Sequence, residues 1–522
     1  MQWKSFAHNG VAFPEEYKPK GMSVKIRGTP VLLSPIAEEM AVAVAKKQGT
    51  KYLDDPVFTK NFMLDFGPTL PKEFNGVDFK DVDFTEVVNA VNSEKLHKAA
   101  ERAENPQIAA EAKAVKTALQ DRYGSVFIDG TKYQVANWMV ESSGLFFGRG
   151  LSPNRGRWKP RLGEQDITLN LSPDAPVPPG NWAGIVHEPG GFWIAKWCDR
   201  VSGKVKYVLP HESTPIRIQR NKKKYLKAKK LAANIAKVRT TIKAAMESPD
   251  IKKRQSATIS YLIDTYGFRV GNEKDEDEAQ TIGASTLKVS NIRIDGTSLT
   301  FDFIGKDSVK FEHTYQNVEP LLLKNLGDFI KGKGPDDLVF ETSSSEAVNA
   351  FLAKTMPGLT AKVFRTYKGT LAVKAYLDTH DPGKEAYEKK YVAKMANLEA
   401  AKALNHKRTL PPKWEEQLKV KEESLKRLQA LGEKKPKQLK KAELDLDLQV
   451  QTRDYNLNTS LKNYIDPTVY KAWCAKVGLD WAKIYSKTLQ KKFSWVERLK
   501  NPQSEGVADE PKAEDGAVQA AR

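Results

Sequence analysis

The chain has 522 residues, 40% hydrophobic and 9% aromatic, which is too much apolar material and too much length for one core. Its 84 Lys+Arg against 65 Asp+Glu leave a net charge of +19, which favours a polyanionic partner and puts nucleic acid ahead of an anionic membrane surface. No stretch approaches the roughly 18 apolar residues of a spanning helix, and two cysteines, Cys198 and Cys474, exclude a disulfide framework or a Cys-based zinc site and suit a reducing interior. The opening Met1-Gln2-Trp3-Lys4 shows neither an apolar signal core nor an Arg/Ser-rich transit pattern.

In chain order, residues 1–200 read as a mixed region. A strand is expected at 23–27, a helix at 35–47 with Glu38 and Glu39 near its start, and an Ala/Lys-rich helix at 106–120. From Glu141 to Arg161 there are five cations, Arg149, Arg155, Arg157, Lys159 and Arg161, and one anion, broken by glycines and prolines. This reads as an extended basic loop able to approach phosphates, or as a solvated arginine loop. Residues 221–247 form a long helix whose buried stripe is Leu231, Ile235, Val238, Ile242 and Met246. From Arg217 to Arg254 there are 14 Lys+Arg, among them Lys222, Lys223 and Lys224, and two acids, Glu247 and Asp250. Such a run repels itself, and an anionic backbone relieves the repulsion.

Asp250 is placed to cap the next helix, which carries Ile259, Leu262, Ile263 and Tyr266 and stops at Gly267, so Arg269 leaves a glycine-flanked helix end. Strands are expected at 286–294, 298–304 and 308–314, with turns at Asp295-Gly296 and Gly305-Lys306-Asp307. Lys306 thereby falls at a hairpin tip; taken alone, such a lysine is simply solvated. Gly327–Gly334 nearly matches a P-loop, but Gly334 stands where Ser or Thr must hold magnesium, and the run reads as a loop. Helices are expected from Thr360 through Arg365 and over 389–404, the latter stopping at Asn405-His406. Residues 413–450 alternate ten cations and eight acids around a break at 432–436, the pattern of a protruding antiparallel helical hairpin in which Asp445 and Asp447 are solvated. Tyr464 follows, in a small helical region with Trp473, Trp481, Ile484, Phe493 and Trp495. Residues 501–522, with five acids and two cations, read as disordered.

Taken alone, Tyr464 reads as a half-buried tyrosine beside the Asp466-Pro467 turn. It acquires chemistry only if cations converge on it. Seven scattered histidines and no carboxylate cluster offer no metal site, so phosphoryl transfer would be carried by side chains. Two arginines can grip the non-bridging oxygens of a phosphodiester and an imidazole can donate to them. A lysine can protonate the leaving alkoxide.

Five ordered runs, Phe268-Arg269-Val270-Gly271-Asn272-Glu273-Lys274, Phe301–Ser308, Leu359–Tyr367, Asn405-His406-Lys407-Arg408 and Thr459–Pro467, resemble the eukaryotic type IB DNA topoisomerases. The opening Trp3-Lys4 with His8, and Leu145–Gly150, resemble the same family, so the likeness covers roughly residues 1–495. The resemblance implies an α+β multidomain protein that clamps duplex DNA. Residues 1–200 would be a mixed α/β cap (core subdomains I and II). Residues 201–406 would be a mainly helical catalytic lobe with a small sheet, 407–452 an antiparallel hairpin linker and 453–500 a small helical C-terminal domain. It also implies relaxation of supercoils of both signs without ATP, metal or another required cofactor. In it Tyr464 is the nucleophile, Arg269, Arg365 and His406 stabilise the transition state, and Lys306 is the general acid. Asn463, Arg149, Glu141 and Asp307 match positions beside the cleaved bond and the pocket for camptothecin-type inhibitors. The implied state is a monomer, off the membrane, in the nucleus or another DNA-containing compartment. Three departures stand out: Leu461 follows Ser460 where the family has lysine, the lysine being displaced to Lys462; Phe147 stands where many relatives have arginine; and the long charged N-terminal region of many relatives is absent. A tyrosine recombinase and a non-enzymatic architectural DNA-binding protein are the alternatives.

Overall fold

The computed structural model describes residues 2–148, 152–271, 282–305, 309–411, 413–430 and 435–497. Its described helices are α1 (Pro35–Ala45), α2 (Pro56–Phe66), α3 (Thr85–Glu104), α4 (Pro106–Tyr123), α5 (Pro215–Ala245), α6 (Ile251–Tyr266), α7 (Pro320–Ile330), α8 (Ser345–Thr355), α9 (Ala361–Thr379), α10 (Ala386–Ala403), α11 (Trp414–Ala430), α12 (Pro436–Gln451), α13 (Leu457–Asn463), α14 (Pro467–Val477) and α15 (Lys487–Lys492). Small sheets accompany them, giving the mixed α/β class expected. The chain divides into two compact units, one running to Arg217 and the other from Ile218.

The first unit has two cores. One joins α1 and α2 to the strands Ser23–Ile26 and Thr29–Leu32, around Val24, Met40, Phe58, Phe62 and Phe66. The other joins Trp3, Phe6, Val126, Leu169, Ile194 and Trp197. Phe147 belongs to the first core: its ring lies 4.8 Å from that of Tyr52 and 5.7 Å from that of Phe58.

In the second unit, α5 starts at Pro215, six residues before the expected helix, because proline is preorganised for the first helical position and its missing N–H costs nothing there. Leu231, Val238, Ile242 and Met246 are buried as the periodicity required. Asp250 caps α6 through the backbone N–H groups of Lys252 and Lys253. The expected strand over 286–294 is corrected: Ala284–Thr286 and Val289–Asn291 are 3-10 turns, and only Ile292–Asp295 is strand. The Asn291 side chain accepts from Lys288 N–H (2.9 Å), and the Thr286 hydroxyl accepts from Gly283 N–H (3.0 Å), so polar side chains bond locally in place of a ladder. Ile292–Asp295, Ser298–Gly305 and Val309–Tyr315 make a three-stranded antiparallel sheet. Lys306 and Asp307 lie outside the described residues, as does Arg149.

The Gly327–Gly334 run is also corrected, since its first half is the last turn of amphipathic α7. Helices α11 and α12 pack on each other as expected, but Asp447 is not merely solvated. It accepts a hydrogen bond from the Tyr391 hydroxyl, and α12 packs on α10. The C-terminal helices do not enclose a separate core. Ile465, Tyr470, Trp473 and Phe493 pack with Val373 and Leu377 of α9 and with Val392 and Ala396 of α10. Leu461 is partly buried against the same cluster, which explains an apolar residue at that position.

Candidate active site

Four segments of the second unit meet at Tyr464. Helix α9 carries Arg365 one turn from its start, and the end of α6 releases Arg269. Helix α10 ends at Ala403, and His406 follows Asn405, which takes a left-handed φ of 53° to turn the chain. Helix α13, capped by Asn456, ends with Tyr464 as its C-cap.

Arg365 and His406 are each only 3% exposed. One Arg365 amino group donates to Gly267 O, and the other donates to Leu404 O at 2.9 Å and to His406 Nε2 at 3.1 Å. The guanidinium carbon lies 5.1 Å from the centre of the Tyr464 ring, and the His406 ring centre lies 5.2 Å from it. Because Nε2 accepts from arginine, the imidazole proton sits on Nδ1. Arg365 Nε and His406 Nδ1 are both buried, and neither has a hydrogen-bond partner among the described residues. Two buried donors left open beside a phenol are costly to a fold unless a ligand accepts from them. A pocket lined by Arg269, Gly305, Arg365, His406, Lys407 and Thr459 lies at this junction.

The electrostatics follow from the burial. Burial opposes ionisation of Tyr464, but Arg365 and Arg269, with Lys362 beyond them, outweigh it and hold the phenol below its ordinary value. Arg365 is pushed down to about 10 by burial and by Arg269, so it remains cationic at neutral pH. His406 falls to about 3, first from burial and then from Arg365 and Arg269, and is therefore neutral. The unfolded chain takes up this proton near pH 6.5 and the folded chain only near pH 3, so the stability tied to neutral His406 is whole above pH 6.5 and is lost as pH falls towards 3. The urea midpoint of the free protein is expected to drop between pH 7 and pH 5, and to drop less in His406→Gln. Equal slopes in urea titrations of the two proteins would refute this.

The segment carrying Tyr464 is held from three sides. Thr370 Oγ1 donates to Tyr464 O (3.3 Å) and accepts from Asp466 N–H (3.0 Å). Buried Ser460 donates to Asn397 Oδ1 (2.7 Å), while Asn397 Nδ2 donates to Leu457 O (3.0 Å). Lys224 Nζ donates to Asn463 O (2.8 Å), so one lysine of the basic helix serves the site's framework. Lys222 is half-buried and Lys223 exposed on the same helix. Thr370, Asn397 and Lys362 escaped the sequence reading because a hydroxyl, an amide and a helix lysine carry no signal until the helices are packed.

The basic loop of the first unit is differently placed. Arg155 pairs with Asp55, and Arg157 pairs with Asp65 through two bonds of 2.8 Å. Lys159 binds Glu141 and Asp199, and Glu141 also accepts from Lys206 (2.8 Å) and Trp197 (3.1 Å). Asp55, Asp65 and Asp199 come from distant stretches, so the charge counted along the loop overstates what it offers outward.

The family model for the DNA binding fragment of eukaryotic DNA topoisomerase I matches residues 1–210. The catalytic core of the same family matches 213–442, and a C-terminal topoisomerase domain matches 436–503. The chain belongs to the eukaryotic DNA topoisomerase I family. It is 35% identical to DNA topoisomerase 1 beta of Arabidopsis thaliana, over 95% of this chain and 58% of that one, and 32% identical to DNA topoisomerase 1 of Homo sapiens, over 95% and 71%. It is also 29% identical to the mitochondrial DNA topoisomerase I of Rattus norvegicus, over 95% and 91%. The chain spans a little over half the length of the plant relatives.

Proposed function

We propose that this chain is a type IB DNA topoisomerase that nicks one strand of duplex DNA, lets it swivel and reseals it. The observation that carries the reading is the pair of open buried donors, Arg365 Nε and His406 Nδ1, beside a phenol made more acidic by cations. A phosphodiester lying there would accept from both donors while Tyr464 Oη attacks phosphorus. The phenol gives up its proton to water, and the new P–Oη bond forms as the bond to the 5′ oxygen breaks, leaving a 3′-phosphotyrosine and, once protonated, a 5′-hydroxyl. Arg269 and Arg365 balance the charge that develops on the non-bridging oxygens. The family resemblance assigns Lys306 to protonate the departing oxygen; religation is the reverse.

The chemistry is carried by side chains without nucleotide, metal or another cofactor. The partner is duplex DNA, held as a monomer in a clamp with residues 1–200 as cap and α11–α12 as linker. By the family resemblance, a camptothecin-type inhibitor would bind beside the cleaved bond. The compartment is the nucleus, with another DNA-containing compartment as the alternative in view of the mitochondrial rat relative. The test is supercoiled plasmid, negative and positive, incubated with the protein in EDTA without ATP. Relaxation of both signs is expected. Salt-sensitive binding with no relaxation would replace this reading with an architectural DNA-binding protein.

A further inference from the structure

At the C-terminal end of α6, Gly267 N–H closes Ile263 O, and side chains close the carbonyls after it. Lys368 Nζ donates to Asp264 O (2.8 Å) and Thr265 O (2.6 Å), Asn405 Nδ2 donates to Tyr266 O (3.1 Å), and Arg365 donates to Gly267 O. The last four carbonyls of a helix have no partner within it, so these bonds decide whether the final turn stays wound. Gly267 then takes a left-handed φ of 70°, and a Cβ there would meet Ala403 O at 2.5 Å, so the exit is pinned against the end of α10. Arg269 lies two residues further on. Lys368 lies three residues after Arg365 in α9 and shares its face. One helix face thus supplies the guanidinium of the site and the ammonium that closes the helix leading to the other arginine.

We propose that Lys368 is a positioning residue that keeps the end of α6 wound and thereby aims Arg269 at the atoms Arg365 contacts; the inference rests on the function proposed above. Lys368 touches no reacting atom. Its ammonium supplies three donors and a positive charge at the negative end of the helix dipole, and a side chain without donors would leave the part-buried Asp264 carbonyl open and the exposed Thr265 carbonyl to water, loosening the last turn. The groups facing it are the Asp264 carboxylate of α6, Arg239 of α5 and Arg365 on its own helix. Asp264 is already engaged by Arg239 at 2.7 Å. Burial, with Arg239 and Arg365 adding to it against Asp264, lowers the ammonium to about 8. The charged cap is therefore present below pH 8 and is lost as pH rises through it.

The experiment compares the full chain with Lys368→Met and Lys368→Arg. It measures single-turnover cleavage of a nicked suicide duplex, duplex affinity, and hydrogen exchange of the segment 262–270. Lys368→Met is expected to slow cleavage about 10- to 100-fold at unchanged affinity, the scale of a misplaced catalytic group, and to speed exchange in that segment. Lys368→Arg, which supplies both donors and charge, restores both. Wild-type cleavage by Lys368→Met, or exchange of the segment 262–270 unchanged by it, overturns the proposal. Where Lys368→Met does not fold, Lys368→Gln takes its place and is held to the same outcomes. A wild type with a protected segment but no cleavage overturns the functional reading and this inference with it, and the exchange data separate that outcome from a failure of the cap.

Discussion

Tyr464→Phe is expected to reduce strand cleavage by more than about 10⁴-fold, the scale seen when a covalent nucleophile is removed, with duplex affinity held within about twofold. The phenylalanine ring keeps the ring contacts of Tyr464 with the Arg365 guanidinium, at 5.1 Å, and the His406 imidazole, at 5.2 Å, and loses only the hydroxyl's interaction with Arg365. The backbone bonds also survive, because Tyr464 N–H donates to Ser460 O at 2.9 Å and Tyr464 O accepts from Thr370. What disappears is the one oxygen that can bond to phosphorus. Denaturing gels that trap protein covalently on a labelled strand, together with filter binding, read the two quantities separately. Cleavage by the phenylalanine variant at the wild-type rate would place the nucleophile on another residue.

Arg365→Ala is expected to lower single-turnover cleavage by about 10²- to 10³-fold, as removal of one transition-state donor does. A loss of stability should accompany it. The guanidinium closes Gly267 O and Leu404 O and orients His406, all in a buried setting, so its removal strands acceptors at about 1–3 kcal/mol each before water enters. Arg365→Lys should rescue little of either effect. A single ammonium cannot hold two carbonyls and an imidazole while still presenting a free donor towards the pocket. Cleavage kinetics alongside urea unfolding distinguish the two losses. A lysine variant that cleaves within threefold of wild type would remove the planar fork from the argument.

Much of this was legible in the residues themselves. The stripe of α5, the Asp250 cap and Gly267 stop of α6, the turn at Asp295-Gly296 and the paired helices α11 and α12 all follow from local periodicity and capping, which depend on neighbours three or four positions away. Tyr464, Arg365 and His406 could be named because motifs surround them, and the structure brings these three together. Arg269 is placed at the same pocket. The strand expected over 286–294 was misread because β-branched composition spoke louder than the Asn291 and Thr286 side chains that close local turns.

Charge was the least faithful guide. Arg155, Arg157 and Lys159 look like an offered cationic loop until Asp55, Asp65 and Asp199, 100, 92 and 40 positions away, are folded against them. Likewise Asn397 and Thr370 hold the Tyr464 segment, and Lys368 the helix exit, only through partners 63, 94 and 104 positions distant. By itself the sequence determined the main helix stripes and caps, the family and the candidate reacting groups, because propensity, capping and motif are local properties of the chain. Which cations remain open to a ligand, and which polar side chains hold the site in place, was decided by the tertiary structure, because an ion pair or a buried hydrogen bond exists only once both partners have been brought within about 3 Å of each other.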